Sequence, residues 1–123
     1  MPFYSWTVSY SRTYSVDDPS GHYRLVLDDL HGTVAEVLVN GEKADIIGWK
    51  PFETDLSGLM KEGQNNVEVR IIGSLHNLYG PHHIGHTGVV GPGHWNSVTG
   101  KLDCSRYIFR QYGLEGDFKI LKY

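Results

Sequence analysis

Apolar and polar residues alternate strictly in two stretches of this chain. In Ala35-Glu36-Val37-Leu38-Val39 the residues Ala35, Val37 and Val39 share one face; in Val67-Glu68-Val69-Arg70-Ile71 the residues Val67, Val69 and Ile71 do the same. A period of two is the mark of a strand with one face on a core. His22 to Asp28 repeats it with Tyr23, Leu25 and Leu27. Phe3 to Val16 alternates Thr, Val, Tyr and Ser more loosely and reads as one long strand or two short ones. Asn40-Gly41 is the strongest turn signal, because a tight hairpin needs residues that accept positive φ, and it predicts a short return strand over Glu42 to Gly48. Arg106 to Gln111 and Asp117 to Tyr123 are the closing strands, joined through Gly113 to Gly116. Asp17-Asp18-Pro19-Ser20-Gly21 and Asp29-Leu30-His31-Gly32 read as turns. Asp55 to Lys61 predicts one helical turn with Leu56, Leu59 and Met60 facing inward, closed by Gly63 and Asn65-Asn66.

Eight or so short strands with almost no helix predict an all-β sandwich. Long crossovers, such as the one through Trp49-Lys50-Pro51-Phe52, favour Greek-key or jelly-roll connections over simple hairpins. At 123 residues the chain reads as a single domain spanning 1–123. From Leu75 to Lys101 its character changes to a glycine-rich stretch with His76, His82, His83, His86 and His94, and few β-branched residues. A loop of that length is unusual in a compact domain and is often functional.

Composition changes this picture little. The 15 glycines and the excess of Tyr over other aromatics suit a strand- and turn-rich domain. Lys and Arg number 11 against 14 Asp and Glu, and the absence of a basic run argues against nucleic acid as a partner. No run of about 18 apolar residues is present, which argues against a membrane span. Met1 to Trp6 lacks a charged segment followed by an apolar run, so no signal peptide is expected there: the chain is either cytoplasmic or a piece of a longer secreted protein. The single Cys104 has no partner for an internal disulfide and reads as a small buried or half-buried residue.

The run Ala35-Glu36-Val37-Leu38-Val39-Asn40-Gly41, followed by Pro51-Phe52, Asp55-Leu56, Leu59, Gly63, Asn65 and Val67 with Val69, resembles the sugar-binding domain of family 2 glycoside hydrolases, a jelly-roll of the galactose-binding-like class. Ser74 to His83, with Gly91-Pro92-Gly93-His94-Trp95-Asn96 and the closing Tyr112 to Gly116, is similar to the C-terminal jelly-roll of large α-L-rhamnosidase-like glycosidases. The resemblance implies a galactose-binding-like jelly-roll β-sandwich. It further implies a non-catalytic carbohydrate-binding or accessory module, part of a larger exported bacterial glycoside hydrolase-like protein that is extracellular or periplasmic. Its partners would be carbohydrate and other domains of the same polypeptide.

Taken singly, Asn40, Gly41, Trp49, Phe52, Asp55, Gly63 and Asn65 read as architecture: turn chemistry accounts for the polar residues and glycines, and Phe52, Leu56 and Leu59 plug the sandwich. Trp49 is expected to be buried beside Pro51; exposed, it would offer a stacking face for a pyranose ring. Tyr79, His82, His83, His94, Trp95 and Asn96 combine aromatic platforms with polar groups on one segment, as carbohydrate sites do, and equally as an interdomain contact would. A third alternative is a metal held by the histidines, although Pro81, Gly85 and Gly88 argue against a helix that would put His82 and His86 on one face. Folds of this class can also hold a structural calcium through carboxylates and carbonyls, with ligands the sequence does not assign. Catalysis is not expected. Glycoside hydrolysis needs two carboxylates about 5 to 10 Å apart across a cleft, whereas Asp17-Asp18 and Asp28-Asp29 are adjacent pairs at turns, and adjacent strand residues point to opposite faces.

Overall fold

The computed structural model describes residues 3–80, 82, 83 and 105–123. These fall into two compact units, one containing 6–73 and 111–123 and the other drawn from 1–5 and 74–110. The first is built from β1 (Val8–Val16), β2 (Tyr23–His31), β3 (Val34–Val39), β4 (Glu42–Ile47), β5 (Glu53–Asp55), β6 (Gly63–Ile72) and β7 (Gly113–Lys122). One sheet runs β1-β6-β3-β4 and the other β5-β2-β7, with every neighbouring pair antiparallel. The fold is an all-β sandwich.

The alternation in the sequence explains the layers. On β6, Asn65, Val67, Val69 and Ile71 are fully buried. Its three apolar residues join Ala35, Val37 and Val39 of β3 and, from the other sheet, Leu25 and Leu27 of β2 and Phe118 of β7 in one apolar cluster, while Asn65 is a buried polar residue. The opposite face of the same ladder carries charge. Glu36 and Arg70 are cross-strand partners. The Arg70 guanidinium lies 2.7 Å from Glu68 and 3.9 Å from Glu36, which Lys43 also approaches at 3.1 Å. Apolar residues inward and paired charges outward fix the register, because a slip of one residue would exchange the two sets.

The Asn40-Gly41 hairpin forms as expected, with positive φ at both residues (54° and 86°). Asn40 also binds across the sheet. Its backbone N–H donates to Asn66 O at 2.8 Å, and its side-chain oxygen accepts from Asn66 N at 3.0 Å. Its side-chain amide donates to Asn65 Oδ1 at 2.9 Å. Asn65 completes the tie: its Oδ1 accepts from Lys61 N at 2.9 Å, and its Nδ2 donates to Lys61 O at 2.7 Å and Gly63 O at 3.1 Å. The Asp17–Gly21 turn is closed by Asp18, whose Oδ1 accepts from Ser20 N at 3.1 Å.

Several expectations are corrected. Trp49 is 81% exposed, not buried; Phe52 takes the inward position against the core, with the Lys50 ammonium 5.6 Å above its ring. Leu59 is 44% exposed while Leu56 and Met60 are buried. Asp55 does cap that segment, accepting from Ser57 N at 2.8 Å, but positive φ at Gly58 (78°) ends any helical run and leaves a turn. Asp29, Leu30 and His31 extend β2 instead of turning, and the chain reverses at Gly32-Thr33. Residues 106–111 form no strand.

Four carboxylates are held below their ordinary pKa by hydrogen bonds in the folded state: Asp117 by Arg12, Asp18 by Ser20, Asp55 by Ser57 and Glu68 by Arg70. A lowered folded pKa means the stabilisation is fully present above the unfolded value, about 4, and is lost as pH falls through the folded values. Melting temperature followed by circular dichroism is therefore expected to be flat in this respect from pH 7 to about 5 and to decline below about pH 4. Arg12→Ala should flatten part of that decline.

Candidate functional site

The second unit holds the described part of the glycine- and histidine-rich stretch. It opens with α1 (His76–Tyr79), a single turn ending at Gly80, where φ is 79°. Asn77 is buried and pairs with Arg110 in both directions: its amide donates to Arg110 O, and its oxygen accepts from Arg110 N, each at 2.9 Å. Ile108 N donates to His82 O at 2.7 Å. These bonds explain why 106–110 is not a strand, since its backbone is satisfied by a side chain and a loop carbonyl instead of a ladder.

Both described candidate histidines are anchored by carbonyls. The ring of His82 meets Asn77 O through Nε2 at 3.1 Å, and that of His83 meets Arg106 O through Nδ1 at 2.7 Å. A carbonyl only accepts, so those nitrogens donate; in a neutral ring Nδ1 of His82 and Nε2 of His83 are then acceptors. Around them is an aromatic cluster. Phe3 packs edge-on to His82, Tyr107 and Phe109 at 5.7, 5.6 and 5.0 Å. Tyr107 and Phe109 stack at 5.7 Å with planes 6° apart, and His83 lies 4.7 Å from Tyr107. Phe3 and Tyr107 are about half exposed, and Tyr79 is 76% exposed. His94, Trp95 and Asn96, together with His86 and Cys104, lie outside the described residues. Of the six candidates, the structure therefore places Tyr79, His82 and His83 in one unit, the two histidines locked in orientation and the tyrosine ring in solvent.

The histidines do not form a metal centre among the described residues. Among the described residues His76 Nε2 is buried without a hydrogen-bond partner, but neither it nor His82 or His83 belongs to a group of three possible ligands, and the ring pairs His76–His82 and His82–His83 are 6.4 and 6.5 Å apart.

The described fold is similar to part of a rhamnosidase from Novosphingobium sp. PP1Y. The superposition has a TM-score of 0.65 at 23% identity and covers 98% of this chain and 11% of that one. The likeness is one of fold, and the whole sequence corresponds to a small part of the rhamnosidase chain. No protein-family model matches the sequence, and no curated protein matches it.

Two groups of residues escaped the sequence reading. Phe3 opens a β-prone run and the alternation of Tyr107 and Phe109 is a period-two signal, yet these residues form no strand and pack on His82 and His83. Asp29, His31 and Glu115 bring their ligand atoms within 4.8 Å of one another in the sandwich unit. Reading Asp29-Leu30-His31 as strand instead of turn would have put the first and third on one face.

Proposed function

We propose that this chain is a non-catalytic carbohydrate-associated module of a glycoside hydrolase-like protein, with a galactose-binding-like jelly-roll sandwich as its scaffold. The observation that carries the reading is the fold likeness: nearly the whole chain matches 11% of a rhamnosidase chain. A sandwich of this kind can thus form one part of a much larger glycosidase. The binding surface is assigned to Tyr79, His82 and His83 with His94, Trp95 and Asn96. An exposed tyrosine ring stacks on the C–H face of a pyranose, and histidine rings held in orientation by carbonyls present their other nitrogen to hydroxyls. The parent protein would be exported and the module extracellular or periplasmic; a full gene without a signal peptide would refute that part.

The test is a glycan array probed with the isolated chain, once with calcium and once with chelator. A reproducible hit is expected, weakened about tenfold or more by Tyr79→Ala or Trp95→Ala. A blank in both conditions would sink glycan binding. It would favour a second reading, supported by the exposed apolar side chains at α1, where Leu75 is 61% and Leu78 is 41% exposed beside Tyr79. On that reading, this surface packs on the module's own catalytic domain.

A further inference from the structure

The geometry points to a divalent-metal site in the sandwich unit, formed by Asp29, His31 and Glu115. The site does not depend on the carbohydrate reading, and its three donors all belong to the sandwich unit. Its donors are brought together by sheet register. Asp29 pairs directly with Glu115 and His31 with Gly113 across β2 and β7. Residues two apart on a strand share a face, as do directly opposed residues. Leu27 is the last core residue of its alternation, and beyond a break in register the next odd positions are Asp29 and His31, both half-buried.

The distances suit a small cation. His31 Nε2 lies 2.8 Å from Glu115 Oε2 and 3.9 Å from Asp29 Oδ2. Ligands about 2.1 Å from a tetrahedral zinc are about 3.4 Å from each other, so small side-chain adjustments would close the shell. Asp29 is already oriented, because its Oδ1 accepts from Leu30 N at 3.0 Å while Oδ2 faces His31. Such outer hydrogen bonds hold metal ligands in place.

Space and charge agree with this. The side-chain position of Gly113, opposite His31, is taken by the Tyr10 hydroxyl, but a cleft of about 300 Å³ lined by His31, Gln111, Gly113 and Glu115 opens beside two of the three donors and leaves room for a further ligand. Among the described residues, no lysine or arginine pairs with Asp29 or Glu115. A simple ion pair would need one carboxylate beside His31. Two carboxylates around a single imidazole leave negative charge that a divalent ion neutralises. The mixed nitrogen and oxygen set favours zinc and its first-row neighbours over calcium, which prefers an all-oxygen shell.

The experiment uses the full chain, Zn²⁺ in calorimetry and Co²⁺ as a paramagnetic probe in NMR. One Zn²⁺ per chain is expected, and Co²⁺ should perturb the amides of 29–31 and 113–115 first. At free Zn²⁺ about a hundredfold above Kd, the folded-to-unfolded ratio should rise about a hundredfold. His31→Ala and the more exposed Glu115→Gln should each weaken Zn²⁺ at least about tenfold, while His83→Ala leaves it unchanged. The proposal is overturned by no Zn²⁺ uptake, by paramagnetic effects centred on residues 76–83, or by folded His31 and Glu115 variants that bind as the parent does.

Discussion

Replacing Asn65 by alanine is expected to destabilise the sandwich by about 3 kcal/mol, because it strands several part-buried polar groups at once. Asn65 is fully buried, and its one side chain serves Lys61 N, Lys61 O, Gly63 O and the Asn40 amide. Each buried group left without a partner costs roughly 1–3 kcal/mol, partly relieved where the loop can admit water. The corresponding fall in melting temperature is on the order of 10 °C. Asn65→Asp separates the donor role from the acceptor role. A carboxylate still accepts from Lys61 N and Asn40 but turns a buried negative oxygen toward two carbonyls. At pH 7 it should be at least as damaging as alanine, and on mild acidification it should recover relative to alanine as the protonated acid regains a donor. Urea midpoints for the three proteins at pH 7 and pH 5 decide this. An alanine variant within about 0.5 kcal/mol of the parent would show that the network contributes little.

That network also shows how far the sequence could be read. Alternation announced β2, β3 and β6, because each has one face on the core and its polar partners outside. The Asn40-Gly41 turn was legible because only positive φ satisfies it. The link from Asn40 to Asn65 was not, since it joins residues 25 positions apart through hydrogen bonds that no local pattern encodes. Residues 106–110 failed for the converse reason. Their alternation is strand-like, but Asn77 and His82 O take up backbone groups that a neighbouring strand would have paired. Of the candidate site, Tyr79, His82 and His83 could be named from composition, but the orientation of the two histidines depends on carbonyls at Asn77 and Arg106. The Asp29, His31 and Glu115 group depends on pairing between β2 and β7, segments at opposite ends of the chain.

Trp49 and Leu25 make the same distinction energetically. Leu25 is fully buried on β2, the central strand of the three-stranded sheet, flanked by Thr54 and Ile120. Leu25→Ala removes apolar contacts with both sheets and leaves a cavity the surrounding strands cannot readily fill, at a cost of about 2–5 kcal/mol. Trp49 is larger and carries more apolar surface, so hydrophobicity alone would rank it the more damaging loss. With 81% of its surface in solvent it has little burial to lose, and Trp49→Ala should change stability by no more than about 0.5 kcal/mol. Urea unfolding of the two variants tests the ordering, and equal losses would mean that Trp49 is packed in solution. A stable Trp49→Ala protein also makes the binding question clean: any loss on the glycan array would then report an exposed ring that touches ligand, without a contribution from a disturbed fold.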